Sequence, residues 1–308
     1  MKKISVLVPT YNEEDNVNAI SEAIIKQMES LDNYEYELIF IDNDSQDNTR
    51  PLIRELCSKN PNIKAIFNAK NFGQFNSPYY GILQATGDCV IAMSADFQDP
   101  VELIPQFVEE WEKGYKIVMG QKLSSKENKI VYALRSFYYS FMKKHSEHGF
   151  IKQVTGFGLY DREFVEIMRS IDDPHPFLRG VVTEMGYKIQ VIPFEQPKRK
   201  AGRSSNGIYN YYDAAVQSFT AYTKTGIRLI ITTGSILSLI STVSLITGVV
   251  YKLLNWNWDG AVILLGLLLF MVVSWQMLFL GIIGEYVLNI NSYTKRRPMV
   301  VESERINM

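Results

Sequence analysis

Two stretches of this 308-residue chain, residues 229–250 and 261–283, contain no charged side chain. Each is about 22 residues long, enough to cross a hydrocarbon layer about 30 Å thick as a helix. The runs predict two transmembrane helices, a hairpin within residues 229–290. A pair of helices buried in a soluble core is the other way to hide them. Charge then sets the orientation. Lys224 and Arg228 precede the first run, Lys295, Arg296 and Arg297 follow the second, and the connection 252–260 carries one Lys and one Asp. Because lysine and arginine stay on the cytoplasmic side, both termini are expected in the cytoplasm, with the chain multi-pass in the inner (plasma) membrane. Trp256 and Trp258 in the connection, with Tyr251 at its border, suit the opposite interface.

Residues 1–196 interleave charged and apolar positions, as a soluble domain does. The formal net charge of -1 gives no electrostatic reason to expect nucleic acid. The apolar run 4–8 is too short for a signal peptide and leads straight into a turn. Cys57 and Cys89 lack metal spacing and read as small core residues. His145 and His148 stand three apart without an evident third ligand, and His175, between two prolines, reads as structural.

Short apolar runs at 4–9, 38–41, 63–67, 89–93 and 116–119 alternate with helical patterns reaching about residues 31, 85 and 113, plus one that Pro51 helps to start. That alternation predicts an α/β fold with a mostly parallel, doubly wound sheet. Neither Gly-x-Gly-x-x-Gly nor Gly-Lys-Ser/Thr occurs, so any nucleotide is held by other means. In open α/β sheets ligands collect beyond the carboxyl ends of strands. There the chain places Asp42, in the turn-rich run Asp42-Asn43-Asp44-Ser45-Gln46-Asp47-Asn48-Thr49, and Asp96, Gln98 and Asp99, after the fourth run. Asp42 can accept bonds from a base or ribose, whereas Asp47 and Asn48 suit a helix cap. Asp96 and Gln98, two apart, can turn hard oxygen ligands to one side, which suits Mg²⁺ or Mn²⁺ carried in with a diphosphate. An Asp-Pro turn that merely ends a strand is the plainer reading.

Several of these segments together carry a resemblance: Pro9-Thr10-Tyr11-Asn12-Glu13-Glu14, the Asp42 run, Asn71-Phe72-Gly73, Ala95-Asp96-Phe97-Gln98-Asp99-Pro100, Gly156-Phe157-Gly158-Leu159-Tyr160-Asp161-Arg162, Arg199-Lys200-Ala201-Gly202-Arg203-Ser204-Ser205, Gly284-Glu285-Tyr286 and Lys295-Arg296-Arg297-Pro298. In this order they resemble the signatures of family-two glycosyltransferases with the GT-A fold, nearest the polyisoprenyl-phosphate group. The resemblance spans nearly the whole chain. It implies a nucleoside pocket of Pro9, Tyr11, Glu13 and Asp42, with Asn71 nearby; a metal held by Asp96 and Gln98; and an acceptor phosphate met by Arg199, Arg203 and Ser204. Arg135, on an amphipathic helix expected over 130–144, is either a further phosphate contact or a solvated surface charge. Two positions depart from the pattern. Ser94 stands where many relatives carry the first Asp of an Asp-x-Asp pair, and Gly156 to Gly158 occupy a segment that often reads Asp-Phe-Arg. Asp99 remains as the nearby carboxylate, an organiser of the catalytic site rather than a necessary base.

The expected organisation is a cytoplasmic GT-A domain over 1–196, a basic juxtamembrane segment with an interfacial helix over 197–228, the hairpin, and a cytoplasmic tail over 291–308. The expected reaction is transfer of a hexose, UDP-glucose being the favoured donor, to undecaprenyl phosphate with inversion, using Mg²⁺ or Mn²⁺. The product would be a lipid-linked sugar for the cell envelope or O-antigen modification. The alternatives are extension of a lipid-linked oligosaccharide and a membrane protein that binds nucleotide sugars without turnover. A homo-oligomer is compatible with the anchor.

Overall fold

Strand-forming residues at the centre of the sheet are buried almost without interruption, and that pattern dictates a sheet covered on both faces. A computed structural model describes residues 1–123, 151, 153–171, 173, 176–197, 261–294 and 297–308, with isolated helical positions between 232 and 254. The first four strands are β1 (Lys2–Thr10), β2 (Tyr34–Asp42), β3 (Ile63–Asn68) and β4 (Cys89–Ala92), linked by helices α1 (Val17–Glu29), α2 (Thr49–Lys59) and α3 (Gly73–Gln84). After α4 (Ile104–Glu112) come β5 (Ile117–Lys122), β6 (Val154–Asp161), α5 (Arg162–Ser170), α6 (Leu178–Glu184) and β7 (Ile189–Phe194). The last elements are α7 (Ala261–Thr294) and β8 (Glu302–Ile306).

Successive side chains of a strand point to opposite faces, so one strand feeds two cores. Ile4, Val6 and Val8 pack with Phe40, Ile20 and Ile24 on one face, while Leu7 packs with Ile39, Tyr79 and Ile82 on the other. Helix α1 meets its face with Val17, Ile20, Ile24 and Met28, the three- and four-residue spacing of a single stripe. Each such buried side chain contributes roughly 1.5–3 kcal/mol.

The sheet order is β7-β5-β6-β4-β1-β2-β3-β8. Strands β1 to β5 and β7 run in one direction, and β6 and β8 oppose them. The sheet is therefore the expected mostly parallel, Rossmann-like α/β sheet, mixed by two reversed strands. From β1 the chain moves outward to β2 and β3, then returns to place β4 on the other side of β1. That reversal opens a crevice at the carboxyl ends of β1 and β4.

Residues 302–306, in the stretch read as a tail, form the strand that closes the β3 edge. Its alternating polar sequence, Glu-Ser-Glu-Arg-Ile, has the charged character of an edge strand and no continuous apolar run to announce it. Helix α7 belongs to a second unit of the chain. Among the described residues no helix is long and apolar enough to cross a membrane. The backbone of α7 is helical over 34 residues.

Towards the amino ends of the strands, away from the crevice, Glu37 of β2 is 1% exposed. Its carboxylate accepts from Ser5 Oγ at 2.5 Å and from the Thr86 amide at 2.7 Å, and it pairs with Lys3 and Lys64, each at 2.8 Å. Burial pushes this carboxyl up, but bonds from the two ammonium groups outweigh it and bring it from an ordinary 4.5 to about 2. A depressed folded value stabilises the fold above the unfolded value and loses that contribution as pH falls towards the folded one. The wild-type chain should therefore lose about 3 kcal/mol of stability between pH 4.5 and pH 2 from this group. Glu37→Gln should lower stability at pH 7 by roughly 2–4 kcal/mol and flatten that acid limb, read by urea unfolding of the full chain in detergent across pH.

Candidate active site

Three loops meet at the carboxyl ends of β1, β2 and β3, and short polar side chains stitch them together. The Asn12 amide donates to Ser45 Oγ at 2.9 Å, and the Gln46 amide returns a bond to Asn12 Oδ1 at 2.8 Å. The Glu13 amide donates to Thr49 Oγ1 at 2.8 Å, and the Asn48 amide to Glu14 Oε2 at 2.9 Å. Asn, Ser and Thr serve here because their side chains mimic backbone groups and because Asn and Asp tolerate left-handed backbone. Asn12 and Asp44 indeed have φ of 55° and 68°.

Asp42, at the end of β2, is completely buried. It accepts from Arg50 Nε at 2.5 Å, from the Ser45 amide at 3.1 Å and from the Ser45 hydroxyl. Arg50 then donates through Nη2 to the Asn68 carbonyl at 2.6 Å. The carboxylate expected to meet a base or ribose is thus already an anchor joining the ends of β2 and β3. Asp47 does cap: its Oδ1 accepts from the Thr49 amide at 3.0 Å, whereas Asn48 makes no side-chain cap bond.

From the second loop Asn43 reaches the third, donating to Asn71 Oδ1 at 2.9 Å and accepting from the Phe72 amide at 2.9 Å. Asn43 also accepts from Asn68 Nδ2 at 3.1 Å, and Asn71 holds the Gly73 amide at 2.9 Å. Asn71 is exposed above this network, and Glu13 accepts from Asn16 Nδ2 at 2.6 Å.

The loop after β4 carries the carboxylates. Asp96 is 4% exposed, and its Oδ1 accepts from the Gln98 amide at 3.1 Å, so the two expected metal ligands share one tight turn. Phe97 between them has φ of 60°, a conformation that costs a bulky side chain about 1–3 kcal/mol and that the surrounding packing must enforce. Asp99 accepts from the Ser94 amide at 2.8 Å. Burial pushes its carboxyl above the usual range, and the Asp96 charge acts in the same direction.

Asp99, Gln98, Ser94 and Pro9 line a cavity of about 370 Å³. Its other polar residues include Lys122 at the end of β5 and Arg179 on α6, and its apolar wall is formed by Phe75, Pro78, Ile82 and Phe177. Phe75 and Phe177 meet edge to face at 5.6 Å, and the Arg179 guanidinium lies 5.3 Å from the Phe177 ring. Lys122 and Arg179 were absent from the sequence-based candidates. Lys122 had a readable signal, a basic residue closing a strand run; Arg179 had none, since only the placement of α6 brings it to the cavity. Arg135, Arg199, Arg203 and Ser204, like His145, His148 and His175, lie outside the described residues.

The two glycines that depart from the common pattern are explained by backbone geometry. Gly156 has φ of 112°, which L-residues rarely adopt. Gly158 pairs with Met119, and a Cβ there would come within 2.4 Å of the Val118 carbonyl oxygen. The close approach of β5 to β6 excludes an acid at Gly158, and the backbone disfavours one at Gly156.

A family model described as glycosyl transferase family 2 matches residues 5–168. Putative glycosyltransferase CsbB of Bacillus subtilis (strain 168) is 30% identical over 96% of this chain and 89% of its own length. The prophage bactoprenol glucosyl transferase homolog of Escherichia coli (strain K12) is 27% identical over 97% of this chain and 98% of its own. The bactoprenol glucosyl transferase of Shigella phage SfX is 27% identical over 98% and 99%.

If Asp99 organises the loop by accepting the Ser94 amide, Asp99→Asn should keep turnover within about tenfold while Asp99→Ala loses more, because only the former preserves an acceptor. Equal, large losses in both variants, measured as initial rates of transfer, would instead mark Asp99 as a base.

Proposed function

The chain belongs to glycosyl transferase family 2, and from that premise we propose that it transfers a hexose, with glucose from UDP-glucose favoured, to undecaprenyl phosphate. The observation that carries this reading is the cavity at the sheet's crevice. It joins two cationic side chains, Lys122 and Arg179, to an aromatic and aliphatic wall. Such a site fits a molecule with an anionic head and an apolar body, and the names of the bactoprenol glucosyl transferase relatives point the same way.

The donor's diphosphate is assigned to the loops at the ends of β1 to β4. Asp96 and Gln98 would hold a divalent cation there. The pair fits a Mg²⁺- or Mn²⁺-like ion because it offers hard oxygen ligands, and such ions complete their shell with phosphate oxygens and water. The cation would neutralise the charge developing on the departing diphosphate. The acceptor is a phosphomonoester with a second pKa near ~6, already nucleophilic at neutral pH. Its oxygen forms the bond to the anomeric carbon as the bond to the nucleoside diphosphate breaks on the opposite face, and the configuration inverts. Lys122 and Arg179 orient the acceptor head, and no side chain need remove a proton.

The same reading assigns residues 229–290 to the inner membrane. In support, residues 229–250 and 261–283 carry no charged side chain in the sequence, the second run lying within α7. Strand β8 follows that helix and pairs with β3, so an even number of crossings must separate it from the rest of the sheet. That parity suits a hairpin with both termini cytoplasmic. An oligosaccharide hydroxyl as acceptor is the second reading. It would need a base, and Asp99, raised by burial, is the acid among the residues lining the cavity.

Membranes containing the full chain, incubated with undecaprenyl phosphate, Mg²⁺ and a panel of UDP- and GDP-sugars, should yield one lipid species heavier by a single hexose on mass spectrometry. Asp96→Asn should reduce that product at least about 100-fold. Full transfer by Asp96→Asn under metal-dependent conditions would overturn the metal assignment, and a product seen only with a glycosylated lipid acceptor would favour the second reading.

A further inference from the structure

The eighth strand does more than cover a sheet edge. Its register against β3 runs Ala65 to Ile306, Ile66 to Arg305 and Phe67 to Glu304, and then Asn68 pairs with Glu302. One step along β3 thus spans two along β8, leaving Ser303 as the extra residue of a bulge. Bulges turn a side chain out of its regular direction. The Ser303 hydroxyl accordingly donates to the Phe67 carbonyl at 3.0 Å. Immediately beyond, the Ala69 amide donates to the Val301 carbonyl at 2.9 Å. These contacts hold the point where β3 ends and the Asn68–Gly73 loop begins.

That point is shared with the donor loops. Asn68 binds Asn43 and Ser77 through Nδ2, at 3.1 and 2.9 Å, and its carbonyl receives Arg50, the partner of Asp42. Asn43 in turn carries Asn71 and the Phe72 amide.

We infer that the C-terminal strand is a positioning element of the nucleotide-sugar site, in which Ser303 and Val301 set the Asn68–Gly73 loop for donor binding. This rests on the reading that the loops after β1 to β3 receive the donor. Ser303 does not touch the donor; it acts through Asn68 and the loop.

The opposite end of the same strand supplies a control. Asn307 Nδ2 donates to the Cys57 and Ile63 carbonyls, at 2.9 and 2.8 Å, near the start of β3 and away from the loop. Its φ of 59° suits glycine, so Asn307→Gly removes the side-chain bonds without backbone strain.

The experiment uses the full-length protein in detergent and reads two quantities. The first is amide hydrogen exchange across residues 69–74. Ser303→Ala should speed it at least about threefold, Ser303→Thr should restore it, and Asn307→Gly should leave it unchanged even where melting temperature falls. The second is the KM for UDP-glucose, which should rise about three- to tenfold in Ser303→Ala, with kcat and the KM for undecaprenyl phosphate within about twofold. Unchanged loop exchange in Ser303→Ala, or equal effects from Asn307→Gly, would overturn the inference. A loop that loosens as expected while donor KM stays at the wild-type value would also overturn it. Failure of the donor reading looks different: the wild-type chain itself would neither bind UDP nor turn over UDP-glucose.

Discussion

A carboxylate with no exposure is tolerable in a protein interior only beside a partner, and Asp42 has Arg50 at 2.5 Å. Removing Arg50 would leave the Asp42 charge buried without its cation, whereas Arg50 is partly exposed and also has Asp44 at 3.5 Å. The pair also decides geometry. Asp42 fixes the loop after β2 through Ser45, and Arg50 reaches the end of β3 through the Asn68 carbonyl, so one ion pair sets the spacing of two loops that flank the crevice. The loop after β1 depends on them in turn, because Asn12 and Glu13 bond to Ser45 and Thr49.

The chemistry of the crevice follows from what the backbone admits. Strand β5 approaches β6 too closely for any side chain at Gly158, and Gly156 lies in a conformation reserved for glycine. Backbone conformation therefore disfavours an acid at Gly156 in the cavity wall, and the site's carboxylates come from the turn after β4. There Asp96 and Asp99 have different surroundings. Asp96 shares a strained turn with Gln98, and Asp99 is bound to the Ser94 amide with its carboxyl raised. Separate environments suit two neighbouring carboxylates to separate tasks, the proposed metal ligation for one and loop organisation for the other.

The two ends of the sheet are built on opposite logic. At the amino ends Glu37 collects Lys3, Lys64, Ser5 and Thr86 into a closed polar knot that contributes stability and offers nothing to a ligand. At the carboxyl ends lies a cavity whose wall carries Lys122 and Arg179. A sheet with reversed chain order on either side of β1 makes the second end concave, and that concavity distinguishes binding surface from scaffold.

The sequence alone determined the alternating strands and helices, the crevice residues at strand ends, the Asp96-Phe97-Gln98-Asp99 turn and the charge-free runs, because each is a local pattern set by side-chain periodicity or turn chemistry. Strands β1 to β4 were legible from unbroken apolar runs, and β6 was visible only as a motif. Strand β8 was hidden, since a polar edge strand has no burial pattern of its own and exists only where β3 offers unpaired backbone. Tertiary structure alone decided that Asp42 is an anchor held by Arg50, that Arg179 reaches the cavity from α6, and that glycine is required at residue 158. Each of these depends on atoms brought together from distant parts of the chain, where packing distance rather than sequence spacing determines what a side chain meets.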